Sequence, residues 1–226
     1  MIHQEVYQTI LKDCQEKNAT LVAVSKFQSV EAIQALYDLG HRDFGENYVQ
    51  ELVEKQKVLP KDIRWHFIGN LQRNKVKDIA PFVHLIHSVD SIRLLNRIIS
   101  QAERFERHID VLAQMHIAEE DTKFGMDDAE MIDFFEYYEK EVEGKGVSVK
   151  GVMGMSTYTS DQEKVRKEFQ TLVERFHYLQ SKHFIGKKEE FSIVSMGMSS
   201  DYKLALEMGS TIIRVGSSIF GERKEA

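Results

Sequence analysis

Short apolar runs rich in valine, isoleucine and aromatic residues occur at 21–25 (LVAVS), 42–45 (RDFG), 65–69 (WHFIG), 84–89 (HLIHSV), 109–117 (IDVLAQMHI), 149–155 (VKGVMGM), 191–197 (FSIVSMG) and 211–216 (TIIRVG). Their length and β-branched content read as eight strands. The segments between them carry helix punctuation. Asn47 with Gln50 and Ser160 with Glu163 have capping-box spacing, and Gly40 and Gly209 stand where helices stop. Strand followed by helix, repeated, predicts parallel pairing. Residues 3–17 form a further amphipathic helix before the first strand, placed to cover the gap left where little chain follows the eighth. The pattern predicts an α/β fold, a single TIM-type (β/α)8 barrel with an extra N-terminal helix; an open doubly wound sheet is the alternative.

Length agrees, since 226 residues suit one such barrel and its core. Only Pro60 and Pro81 interrupt the chain, and 186–190 (GKKEE) and Gly144-Lys145-Gly146 read as loops, so a single domain over 1–226 is expected. A formal charge of −6 and pI near 5.9 arise from intermixed acids and bases. Without a basic face, nucleic acid and anionic membrane are poor partners. Cys14 is the one cysteine, on a stripe with Val6 and Ile10, and reads as buried packing. The N-terminus lacks the basic and apolar regions of a signal peptide, and no apolar run approaches membrane-spanning length, so a cytoplasmic monomer is expected.

In a parallel barrel the functional face lies at the C-terminal strand ends. Three strand ends carry chemistry. The first strand closes on Ser25-Lys26, which aims an amine at the barrel mouth, where it is either a solvated loop lysine or a nucleophile toward an aldehyde. The seventh closes on Ser195-Met-Gly-Met-Ser199-Ser200-Asp201 before a helix at 201–208; Ser199 or Ser200 could cap that helix or contact an anion. The eighth closes on Arg214-Val215-Gly216-Ser217-Ser218. Small residues on adjacent strands 7 and 8 match the phosphate site of phosphate-binding barrels. A phosphate beside a reactive lysine suggests pyridoxal 5′-phosphate (PLP) or a phosphosugar aldolase intermediate. Strand alternation puts Arg214 on the side of Gly216, where it could pair with Asp201 or donate to a pyridine nitrogen.

The stretches VAVSK (22–26), FGENYVQE (44–51), WHFIGNLQRNK (65–75), HSVD (87–90), SMGMSSD (195–201) and GSTIIRVGSSIFG (209–221) resemble the YggS/PROSC family of PLP homeostasis proteins. The likeness spans nearly the whole chain in order. It implies a barrel similar to the N-terminal domain of alanine racemase, with PLP held as a Schiff base on Lys26. It also implies Arg214 at the pyridine nitrogen, Ser199, Gly216 and Ser217 at the phosphate, and Asn47 and His66 near the ring. The sequence departs from the family at Phe27-Gln28-Ser29, at Asn70 and in 151–159, which leaves the lysine and phosphate motifs untouched. Racemases and decarboxylases on this barrel add a second domain that completes their active site. The resemblance therefore implies a non-catalytic protein that buffers PLP and delivers it, transiently, to apo-enzymes, affecting PLP and amino-acid homeostasis. A slow PLP-dependent amino-acid racemase is the alternative, and a class I aldolase a third. Lys75 or Lys123 is a candidate for a second, transient PLP site.

Overall fold

The computed structural model describes residues 2–118, 124–142 and 144–221. Eight strands form a closed parallel barrel in chain order: Thr20–Val24 (β1), Asp43–Glu46 (β2), Arg64–Phe67 (β3), Leu85–Val89 (β4), Ile109–Gln114 (β5), Val147–Met153 (β6), Ile193–Ser195 (β7) and Ile212–Val215 (β8). Each lies on a stretch expected to be a strand, and the open-sheet alternative is overturned by β1 pairing with both β2 and β8. Closure sets Val22 beside Arg214 and Ala23 beside Val215.

Around the barrel run Gln4–Glu16 (α1), Val30–Asp38 (α2), Val49–Val58 (α3), Val76–Ile79 (α4), Ile92–Arg104 (α5), Asp128–Glu141 (α6), Gln162–His183 (α7), Tyr202–Glu207 (α8) and Ser217–Phe220 (α9). The expected N-terminal helix is α1, which packs on β1 and α9 and is tied down by Tyr202 Oη donating to Asp13 at 3.1 Å. Its buried stripe is Tyr7, Ile10 and Cys14; Val6, expected on that stripe, is 40% exposed because it lies about 100° around the helix from Tyr7. Burial pushes the Cys14 thiol up to about 12, which keeps it inert.

Two apolar compartments follow from strand alternation. Outward-facing residues such as Phe44, Ile86, Val111 and Val215 meet the helices in the main core. Inward-facing Val22, Leu85, Leu112, Met153 and Ile212 fill the barrel, with Ile193 and Met155 packed against them. Gly151, with φ of +157°, allows the register shift between β5 and β6, since a Cβ there would overlap the Ile193 carbonyl.

Helix stops fall as expected, with Gly40 and Gly209 in left-handed backbone just past α2 and α8. Helix starts do not. Tyr48, not Asn47, occupies the N-cap of α3 and makes no side-chain cap bond. Asp161, not Ser160, caps α7 by accepting from the Glu163 and Lys164 amides, because a carboxylate one residue nearer the first turn meets two N–H groups. Neither Ser199 nor Ser200 caps α8; Asp201 holds that position, and its side chain folds back to accept from the Met198 amide at 2.6 Å.

Candidate functional site

At the C-terminal strand ends a cavity of about 230 Å³ is lined by Val24, Lys26, Gln28, Asn47, Ile68, Met155, Met198, Ser199, Arg214, Gly216, Ser217 and Gly221. It brings together Lys26, Asn47, Ser199, Arg214, Gly216 and Ser217, all expected at the site from sequence. His66, also expected there, does not line it.

Lys26 is half-buried between two anchored neighbours. On one side, Ser25 is fully buried; its Oγ donates to Glu46 Oε1 at 2.6 Å and its carbonyl accepts from Lys55 Nζ at 2.7 Å. On the other, Phe27 takes a left-handed φ of +63°, and its amide donates to Glu51 Oε1 at 2.6 Å. Lys55 Nζ bridges Glu46 at 2.8 Å and Glu51 at 2.6 Å, so one ammonium ties both anchors to α3. Burial raises the Glu46 carboxyl to about 7, against the opposing pull of Lys55 and the Ser25 hydroxyl. Sequence reasoning missed this cluster. The spacing of Glu51 and Lys55 by four residues in a helix was its legible signal.

The opposite wall comes from the ends of β7 and β8. Ser217 Oγ donates to Ser199 Oγ at 3.2 Å, so the two loops meet hydroxyl to hydroxyl. The α9 helix opens at Ser217, and the Ser217 and Ser218 amides precede its first internal bonds, which run from the Ile219 and Phe220 amides to the Gly216 carbonyl at 2.9 and 3.0 Å. Gly216 lets this strand end close on β1, where a Cβ would lie 2.9 Å from the Val24 carbonyl oxygen. Hydroxyls and amides at one end, with an amine and a guanidinium elsewhere in the cavity, are donors suited to an anionic aldehyde. Asn47 Oδ1 is buried without a hydrogen-bond partner among the described residues, leaving an acceptor for a ligand.

Arg214 enters this cavity from the barrel interior. It does not pair with Asp201, whose carboxylate is taken by Ser156 Oγ at 2.7 Å and the Met198 amide. Instead its Nη1 donates to Ser195 Oγ at 2.6 Å and its Nη2 to the Gly154 carbonyl at 3.1 Å. Ser195 Oγ lies 3.0 Å from His87 Nδ1, His87 Nε2 lies 2.9 Å from His66 Nδ1, and His66 Nε2 lies 3.0 Å from Asp43 Oδ1. The ends fix the direction of this chain. A carboxylate only accepts, so with one proton on each ring His66 Nε2–H donates to Asp43, His87 Nε2–H to His66 Nδ1, and the Ser195 hydroxyl, which accepts from Arg214, to His87 Nδ1. Complete burial holds the His87 pKa well below the usual histidine value, consistent with the neutral ring this order needs. Burial also lowers Arg214 to about 10, which leaves it a cation at neutral pH. His66 therefore belongs to the barrel interior beneath the mouth.

Lys75 lies outside the mouth, on a neighbouring groove of about 490 Å³ that shares the Asn47 wall and includes Tyr48, Gly69 and Gln72. Lys123 lies outside the described residues.

A parallel barrel with a strand-end lysine, an inward arginine and small-residue loops on its last two strands defines an alanine racemase-type barrel domain. The sequence profile of the family described as alanine racemase, N-terminal domain, matches residues 4–224. Within it, the chain belongs to the pyridoxal phosphate homeostasis proteins. It is 38% identical to that protein of Aquifex aeolicus, over 97% of this chain and 96% of the relative. To that of Schizosaccharomyces pombe it is 37% identical, over 92% and 85%. Among solved structures, PipY of Synechococcus elongatus with PLP bound superposes with a TM-score of 0.81 at 32% identity, over 90% of this chain and 93% of that one. Alanine racemase from Bartonella henselae, with covalently bound pyridoxal phosphate, shares the fold at a TM-score of 0.66 and 14% identity, over 93% of this chain but 56% of the racemase.

Proposed function

We propose that this protein binds PLP in the barrel mouth and serves intracellular PLP homeostasis by holding and releasing the cofactor, without turning over amino acids. The observation that carries the reading is the convergence of Lys26, Arg214 and the Ser199–Gly216–Ser217 wall on one cavity. Bound there, PLP would supply an aldehyde that condenses reversibly with primary amines. Lys26 is the attachment point, held in place by the Glu46–Lys55–Glu51 cluster through the backbone on either side of it. Ser199, Gly216 and Ser217 receive the phosphate, and Arg214 meets the ring nitrogen. The PLP-bound structure of PipY and the name shared by the curated relatives support this reading.

The carrier role rests on Arg214. A carboxylate at the ring nitrogen would keep that nitrogen protonated and make the ring a strong electron sink; an arginine cation held by Ser195 and the Gly154 carbonyl keeps its protons at neutral pH and would donate a hydrogen bond to the nitrogen without protonating it. Amine exchange at Lys26 then proceeds while α-carbon deprotonation stays unfavourable. The protein works in the cytoplasm as a monomer and hands PLP to apo-enzymes in transient encounters; none of the described helices is long and apolar enough to cross a membrane.

The test incubates the PLP-loaded protein with each common L- and D-amino acid in deuterated water. It follows α-hydrogen exchange and chirality beside PLP transfer to an apo-transaminase. Transfer without turnover is expected. Multiple-turnover racemisation or decarboxylation that is lost in Lys26→Ala would make the protein an enzyme.

A further inference from the structure

Toward the N-terminal strand ends, away from the mouth, three side chains converge that cofactor binding does not use directly. Asp43 opens β2, His66 lies on β3, and His84 immediately precedes β4. One ligand atom from each lies within 4.8 Å of the other two. Asp43 and His66 are buried, whereas His84 is exposed and gives the cluster access to solvent.

One carboxylate oxygen with two imidazole nitrogens is a donor set that suits zinc and neighbouring divalent transition metals. At zinc–ligand distances of about 2.0–2.1 Å, tetrahedral geometry separates ligand atoms by about 3.3–3.4 Å. His66 Nε2 and Asp43 Oδ1 stand 3.0 Å apart, so that pair needs only a few tenths of an ångström of movement. The surroundings also match a metal-binding histidine. Such a ring has its other nitrogen held by a hydrogen bond, and His66 Nδ1 is held by His87 at 2.9 Å, which is held in turn by Ser195 at 3.0 Å. We propose that Asp43, His66 and His84 bind a divalent transition metal ion, zinc being the type case, with water completing its coordination.

Arg64 is the opposing charge. It donates through Nε to Asp43 Oδ1 at 2.7 Å and through Nη2 to Oδ2, and its side chain is 48% exposed. The ion takes Oδ1 while Arg64 swings outward or keeps Oδ2. Metal on His66 Nε2 places that ring's proton on Nδ1, where it donates to His87. The order of protons from His66 to Ser195 then reverses, and occupancy of the closed end reaches the acceptor of Arg214.

The experiment titrates zinc into the untagged full-length chain at pH 7.5 by calorimetry and records the visible spectrum of the cobalt form. One saturable site per chain is expected, with ligand-field bands in the cobalt spectrum. His84→Ala, at an exposed position outside the buried chain, should weaken binding at least tenfold with the melting temperature nearly unchanged. Arg64→Gln should tighten it several-fold by removing the competing cation, a sign that a merely structural arginine would not give. Absence of a saturable site, equal affinity in His84→Ala, or weaker binding in Arg64→Gln would overturn the proposal.

Discussion

The wall of the mouth built by β1 and β2 fixes its chemistry with buried charge, whereas the wall built by β7 and β8 leaves its donors available. On the first, Lys55 is 5% exposed and divides its ammonium among the Ser25 carbonyl, Glu46 and Glu51. The neighbours of Lys26 have little freedom, and the lysine starts from a defined place. On the second, Ser199 and Ser217 bond to each other at 3.2 Å, a neutral contact that an anion can replace with stronger charge-assisted bonds. Costly buried ion pairs sit where a covalent attachment point needs positioning. Inexpensive hydroxyls sit where a ligand must enter and leave.

That contrast predicts opposite outcomes for substitutions on the two walls. The largest effect belongs to the charged one. Lys55→Ala strands Glu46 and Glu51 and releases the Ser25 carbonyl, and it should cost about 3 kcal/mol of folding stability in denaturant unfolding. A loss below about 1 kcal/mol would mean that the cluster does not anchor this wall.

On the hydroxyl wall the effect should appear in affinity instead. Ser199→Ala and Ser217→Ala should each weaken PLP binding by about 1.5–3 kcal/mol, with folding stability changed by less than about 0.5 kcal/mol. Pyridoxal, which lacks the phosphate, should bind far more weakly than PLP and should not distinguish these variants from the parent. Equal affinities for pyridoxal and PLP would place the phosphate elsewhere.

The smallest effect, taken per unit of pH, is a slope in stability. The Glu46 carboxyl is raised to about 7 in the folded protein from its ordinary value of 4.5, so between those values the folded state holds a proton that the unfolded state has lost. Its contribution is full below pH 4.5 and is lost as pH rises through about 7. Glu46→Gln should remove that slope, so the stability difference between parent and variant should change with pH by at most about 1.4 kcal/mol per unit over this window. A pH-independent difference would show that Glu46 stays ionised throughout.

What could be read from the sequence follows the same division. All eight strands were legible, because β-branched runs between helix signals carry their own period. So was the β7–β8 wall, since small residues after a strand mark close backbone approach whatever their partners. Arg214 was legible as an inward cation, but not its acceptor: Asp201 is near in sequence, whereas Ser195 and the Gly154 carbonyl come into reach only through barrel register. The Glu46–Lys55–Ser25 contacts and the His66–His87–Ser195 chain were hidden for the same reason. His87 did leave a trace, a polar residue two places after inward-facing Leu85 in an apolar strand. The misplaced caps at Asn47 and Ser160 are local errors of one residue; Asn47 faces the cavity instead of capping the helix that Tyr48 begins.

The central claim is that Lys26 is where this protein holds its cofactor. The most direct measurement reduces the PLP-loaded protein with borohydride, digests it and locates the pyridoxyl group by mass spectrometry, with Lys26→Ala treated alongside. The account predicts the label on Lys26 in the parent, and loss of both the label and the yellow absorbance in the variant. A label found mainly on Lys75, Lys123 or any other lysine of the parent would contradict it.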